Sequence, residues 1–96
     1  MASANNLVFR KRFEKVFSKL DKKIQQQVVD ELKVLVKNPL GHQQVKKIVG
    51  TNIGYRLRVG RWRILFVFEN NIIDVIDLFM EKSKKDYEVR IKLFKS

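Results

Sequence analysis

The sequence predicts an α+β fold, a two-helix hairpin packed on one face of an antiparallel sheet of three to four strands. Three observations carry that expectation. Apolar residues recur at helical spacing between Phe9 and Val36, and the period changes to two from Tyr55 onward. Gly60-Arg61 and Asn70-Asn71 stand where tight turns between strands would fall.

Leu7, Val8 and Phe9 suit a short first strand. Phe9, Phe13, Val16, Phe17 and Leu20 then follow the i, i+4, i+7, i+8, i+11 pattern of an amphipathic helix. Asp21 stands as an N-cap ahead of a second stripe at Ile24, Val28, Leu32, Leu35 and Val36, which Asn38-Pro39 and Gly41 terminate. A tight joint near Asp21 makes these helices an antiparallel pair. Residues 41–54 hold three glycines and read as an irregular connector, with one apolar pair at Ile48 and Val49. Residues 55–59 and 62–68 are strand-rich runs joined by Gly60-Arg61, a pair suited to a type II′ turn. Asn70-Asn71 supplies the positive φ angles of a second turn into residues 72–79. Residues 81–96 are charged, with Val89, Ile91, Leu93 and Phe94 scattered among them and no clear structure.

The composition narrows the function. The 96 residues are expected to form a single domain over 1–96, with 45% apolar residues, enough for one core. With no cysteine and one histidine, zinc fingers, thiol catalysis, disulfide frameworks and His-rich metal sites are excluded, and no cofactor is implied. No signal peptide and no run of eighteen apolar residues is visible, which predicts a cytoplasmic protein without a membrane partner. Twenty-one Lys and Arg against ten Asp and Glu leave +11 and point to an anionic partner. Lysines on the first two helices suit a solvated face. The arginines need another explanation, because four of them and no acid lie between Tyr55 and Phe68.

The Gly60-Arg61 turn sets the register of that segment. Val59 faces Trp62, Arg58 faces Arg63, Leu57 faces Ile64 and Arg56 faces Leu65. Arg56, Arg58 and Arg63 then share one face, while Tyr55, Leu57, Val59, Trp62, Ile64, Phe66 and Phe68 form the helix-facing core. Like charges directly opposite each other destabilise a sheet by about 0.2–1 kcal/mol. An anion site explains the arrangement, and phosphate fits the planar guanidinium fork best. The alternative is pairing with Glu69, Asp74, Asp77 or Glu81. In this register Asp74 falls on the arginine face and Asp77 on the other.

The run Tyr55-Arg56-Leu57-Arg58-Val59-Gly60-Arg61-Trp62-Arg63-Ile64-Leu65-Phe66 resembles the "YRlRvGryRvly" block of the RelE/ParE superfamily of type II toxins. The resemblance extends to the Phe13-Glu14-Lys15 helix, Asn38-Pro39, the strand around residues 75–78 and Asp86-Tyr87, and so covers nearly the whole chain. It implies a sheet with two helices on one face and the active groove on the other. RelE-like members are ribosome-dependent mRNA interferases that cut by 2′-OH attack on the adjacent phosphate, without a metal, and so inhibit translation. ParE-like members inhibit DNA gyrase. Both are silenced by a cognate antitoxin whose C-terminal segment wraps the toxin, here expected to be acidic or amphipathic and to cover the arginine face.

Residue by residue, the resemblance implies catalytic roles for Arg56, Arg58 and Arg63, with Arg63 on the scissile phosphate. The C-terminal arginine of RelE-like enzymes has no clean counterpart; Lys82 and Lys84 stand nearest. Arg61 and Tyr87 are candidate RNA contacts, Tyr87 by stacking on a base. Chemically, arginine can stabilise the phosphorane but cannot act as a base. Proton transfer falls to Lys82 or Lys84, or to Glu81 if it folds over the cluster. A non-catalytic RNA-binding domain is the third possibility.

Overall fold

A computed structural model describes residues 5–94 of the chain. In chain order the elements are β1 (Asn6–Phe9), α1 (Lys11–Phe17), α2 (Lys22–Lys37), β2 (Val45–Lys47), β3 (Gly54–Val59), β4 (Trp62–Glu69), β5 (Ile72–Met80) and α3 (Lys85–Ile91), followed by a 3-10 turn at Lys92–Phe94. The strands form one sheet in the order β1-β5-β4-β3-β2. The expected α+β architecture is present, with more strands than predicted.

The helix side of the sheet follows the sequence pattern closely. Asp21 caps α2 by accepting the Ile24 N–H at 2.9 Å. Gln25 Nε2 donates to the Phe17 carbonyl at 2.8 Å, across the joint between the helices. Phe13 of α1 and Val28, Leu32 and Leu35 of α2 are buried against Leu57, Val59, Ile64, Phe66, Ile73, Val75 and Leu78. Trp62, assigned to the core face, packs against this cluster. Phe9, Phe13 and Phe17 stack in succession, with ring centroids 5.1 and 5.6 Å apart.

Both turns hold as predicted. Gly60, with φ +59°, occupies the first central position that a type II′ turn reserves for positive φ. Asn70 and Asn71 have φ 53° and 62°, the pair of left-handed residues of a type I′ turn. The β3–β4 register is the predicted one, including Arg58 opposite Arg63.

The structure departs from the expectation in four places. β1 lies parallel to β5, because the chain returns to that sheet edge only after crossing through both helices. The expected connector contains β2, a three-residue edge strand whose Val45 packs on the helix-side core opposite Leu57. In β5 the register shifts between Leu65 and Phe66, so that Leu65 faces Asp77 while Phe66 faces Val75. Ile76 is the extra residue of this bulge, and it moves Asp77 onto the arginine side rather than the helix side. Finally, the C-terminal segment forms α3, which lays Tyr87, Ile91 and Phe94 on Ile48, Leu65 and Phe79. The face expected to be an open groove is therefore partly roofed by the chain's own C-terminal helix.

Candidate nucleic-acid interface

The arginine side of the sheet is built from two cross-strand rows. In one, Lys46 of β2 pairs with Arg56 of β3, which pairs with Leu65 of β4. In the other, Arg58 pairs with Arg63, which pairs with Phe79 of β5. Neighbouring strands lie about 4.8 Å apart, so each row holds its cations abreast.

Arg63 is not left unpaired as expected. Its Nε donates to Glu81 Oε1 at 2.9 Å, and its Nη1 donates to the Gly60 and Trp62 carbonyls, both at 2.9 Å. The side chain is only 12% exposed. These contacts fix the guanidinium in one orientation and leave Nη2 as its nitrogen with no protein acceptor among the described residues. Glu81 also dissolves the predicted repulsion between Arg58 and Arg63, because a carboxylate follows the strand end and folds back on it. Among the described residues, neither Arg56 nor Arg58 forms an ion pair.

Tyr87 joins this network from α3. Its hydroxyl donates to Glu81 Oε1 at 2.5 Å, its ring meets Phe79 edge-on at 5.5 Å, and the Arg56 guanidinium carbon lies 5.8 Å from its centroid. The Tyr87 hydrogen bond and then the charge of Arg63 hold the Glu81 carboxyl below its usual range, so it is anionic at neutral pH. Burial, and after it the bond to Glu81, push the Tyr87 phenol up to about 12. The folded chain thus holds this proton more tightly than the unfolded chain, whose tyrosines ionise near 10. The associated stability is intact below about pH 10 and falls as pH rises through about 12. A phenolate absorbance titration is expected to show a step near 12 that Tyr87→Phe removes. Superimposable curves would contradict the contact.

The remaining candidates are more dispersed. Lys82 and Lys84 are exposed. The backbone N–H groups of Lys82 and Ser83 donate to Asp86 Oδ2 at 2.7 and 2.9 Å, a turn that starts α3. These two bonds hold the Asp86 carboxyl below its ordinary range. Lys84 and Arg56 both line a groove between β2 and α3, and Arg61 is exposed at the hairpin turn. His42 is engaged in its own local bonds: Nδ1 accepts the Gln44 N–H, which leaves Nε2 to donate to Glu31 at 3.0 Å.

Sequence reasoning missed the anchor of α3. Asp77, 2% exposed, receives Arg90 Nε at 2.6 Å and Arg12 Nε at 3.1 Å on one oxygen, and the Leu78 N–H at 2.8 Å on the other. Arg90 also stacks over the Phe79 ring, 4.0 Å from its centroid. A signal was present in Tyr87, Ile91 and Phe94, which fall at i, i+4 and i+7, once Tyr87 is counted with the apolar residues.

Residues 7–83 match the model of the family described as ParE toxin of type II toxin-antitoxin system, parDE. The chain belongs to this family. It is a toxin of the RelE/ParE superfamily. No curated protein matches its sequence. Among solved structures it is similar to the toxin in the Methanococcus jannaschii RelB-RelE antitoxin-toxin complex, with 26% identity over 83% of this chain and 96% of that one and a TM-score of 0.68. A substituted Escherichia coli toxin RelE in the free state aligns over 95% and 98% of the two chains at 21% identity, with a TM-score of 0.75. The intact E. coli RelBE toxin-antitoxin complex contains a chain covered completely by 83% of this toxin, at 21% identity and a TM-score of 0.71. Among the described residues of the toxin, no helix is long and apolar enough to cross a membrane.

Proposed function

We propose that this toxin is a ribosome-dependent mRNA endonuclease that arrests translation by directing the 2′-OH of a nucleotide onto its own 3′ phosphate. The observation that carries the reading is the arginine face of β3 and β4: among the described residues Arg56 and Arg58 have no acidic partner, and Arg63 is immobilised by Glu81 and two carbonyls with one nitrogen lacking a protein acceptor. Donors fixed before the reaction stabilise charge on a phosphorane without reorganising as it forms.

In the proposed step the 2′ oxygen bonds to phosphorus and the bond to the 5′ oxygen breaks, giving a 2′,3′-cyclic phosphate and a 5′-hydroxyl end. Arg56, Arg58 and Arg63 hold the equatorial oxygens. The proton leaving the 2′-OH goes to Glu81, the carboxylate paired with Arg63, and the 5′ oxygen takes a proton from Lys84, which lines the same groove as Arg56. Lys82 lies in the turn before α3 and, unlike Lys84, does not line the groove that holds Arg56. A carboxylate held below its usual range is a modest base, so the ribosome supplies in-line alignment of the message. The +11 charge favours docking on ribosomal RNA, and Arg61 extends the contact surface from the turn.

The partner that silences the toxin is an antitoxin, as in the RelB-RelE complexes named above. Its acidic C-terminal segment would engage Arg56, Arg58 and Arg61. One specific finding favours a second reading: the matching family model is that of the ParE toxin, the branch for which the sequence resemblance implies inhibition of DNA gyrase. Induced expression with translation and replication followed in parallel separates the cases. Early loss of translation with cut ribosome-bound message supports the nuclease. Replication failing first, with translation continuing, favours gyrase, and no effect on either leaves a non-catalytic RNA-binding domain.

A further inference from the structure

Where α2 meets the start of β2, the chain's one histidine is built into a turn. The His42 carbonyl accepts the Val45 N–H at 3.1 Å, and its ring nitrogen Nδ1 accepts the Gln44 N–H at 3.0 Å. In an Asx turn the second of these bonds goes to an Asp or Asn side chain, two residues back in the chain. The ring is only 6% exposed, and its other nitrogen, Nε2, lies 3.0 Å from Glu31 Oε1 of α2. A backbone N–H can only donate, so Nδ1 carries a lone pair and the ring proton sits on Nε2. The Gln44 carbonyl in turn accepts the Arg58 N–H at 3.0 Å, one step beyond the Val45–Leu57 pair of the β2–β3 ladder. The ring is thus two hydrogen bonds away from the backbone of Arg58, a cation of the arginine face.

We propose that His42 is a proton-operated latch on the β2 edge: a proton on Nδ1 releases Gln44 and loosens the backbone that seats Arg58. The charge of imidazole changes between about pH 5 and 8, so the stimulus is a fall in pH across that range. A protonated ring has two N–H donors and no acceptor. Its Nε2 bond to Glu31 gains charge assistance, whereas Nδ1–H and the Gln44 N–H then point at each other. Two donors cannot share a bond, so the ring stays with Glu31 and the Gln44 N–H is left to water. Gln44 is exposed and leads into a strand of three residues, so little else holds this edge.

The charged groups around the ring come from three elements. Glu31 and Asp30 of α2 and Arg58 of β3 line one polar pocket with Gln44, and Lys47 lies on the helix side of β2. The two carboxylates favour a proton on the ring, and the two cations oppose it. Asparagine at position 42 would form the same turn with no charge to gain. The latch belongs to this edge of the sheet and does not depend on which target the toxin has.

The test is a titration of the full chain between pH 8 and pH 5 by two-dimensional NMR, following the His42 ring nitrogens and the Gln44 and Arg58 amides. At pH 8 the ring nitrogens are expected to report the tautomer protonated at Nε2. As the ring titrates, the Gln44 amide proton is expected to move upfield with the same midpoint, and the Arg58 amide to follow. Protection of the Gln44 N–H, corrected for the pH dependence of intrinsic exchange, is expected to fall about tenfold, the scale of one net hydrogen bond. His42→Asn keeps a side-chain acceptor for the Gln44 N–H, so both amides are expected to hold still in that variant. Glu31→Gln keeps an acceptor for Nε2 but removes its charge, and is expected to move the transition to lower pH. A ring protonated at Nδ1 at pH 8, or one that titrates with the Gln44 amide unmoved, would overturn the latch. So would a Gln44 response that persists in His42→Asn, which would belong to Glu31 or Asp30. A Gln44 response without one at Arg58 would cut the link to the arginine face and overturn the proposal equally.

Discussion

Arg63→Ala is expected to lower the rate of message cleavage by about 10²–10³-fold and to relieve growth arrest while the protein remains folded. The size of the effect follows from preorganisation. Arg63 is held by Glu81 and by two backbone carbonyls, so its free nitrogen is aimed before any substrate arrives. The fold survives because Glu81, 30% exposed, keeps the Tyr87 donor and has access to water. Arg63→Lys is expected to fail almost as badly, since one ammonium cannot reach the carboxylate and both carbonyls in the planar geometry of a guanidinium. Single-turnover cleavage of ribosome-bound message, with circular dichroism melts of each variant, checks both statements. A folded Arg63→Ala protein that cuts at the wild-type rate would end the proposed mechanism.

The second large effect is on stability. Asp77→Ala is expected to cost about 3 kcal/mol and to lower the melting temperature by roughly 15 °C. Asp77 is almost wholly buried, and its removal strands Arg90, which is 19% exposed and stacked on Phe79, without a counter-charge. Arg12, 50% exposed, turns to water at little cost, so Arg12→Ala is expected to fall well short of Asp77→Ala. Because Arg90 ties α3 to the sheet, hydrogen exchange in Asp77→Ala should accelerate first in α3 and only later in the strands. Uniform acceleration throughout the chain would contradict the assignment of Asp77 as the anchor of that helix.

How much was legible beforehand depended on the range of the interaction. The β3–β4 register could be read from Gly60-Arg61, because a two-residue turn leaves the flanking strands no other pairing. With it came the grouping of Arg56, Arg58 and Arg63 on one face. The bulge at Ile76 could not be read, since one additional apolar residue in an apolar strand does not disturb the pattern, yet it decides which way Asp77 points. β2 is three residues long and exists because β3 offers it an edge. The seven residues of α3 are too few to be stable alone and depend on docking over Ile48, Leu65 and Phe79.

The sequence by itself determined the α+β class, the capped second helix, both turns and the side of the sheet on which the arginines lie, because each rests on neighbours a few residues apart or on a strict side-chain period. Only the tertiary structure decided that Glu81 and Tyr87 close over Arg63, that Arg90 reaches Asp77, and that a cationic groove opens beside them. Those side-chain contacts join residues 6 to 18 positions apart, and their charge pairing depends on how the C-terminal helix settles on the sheet.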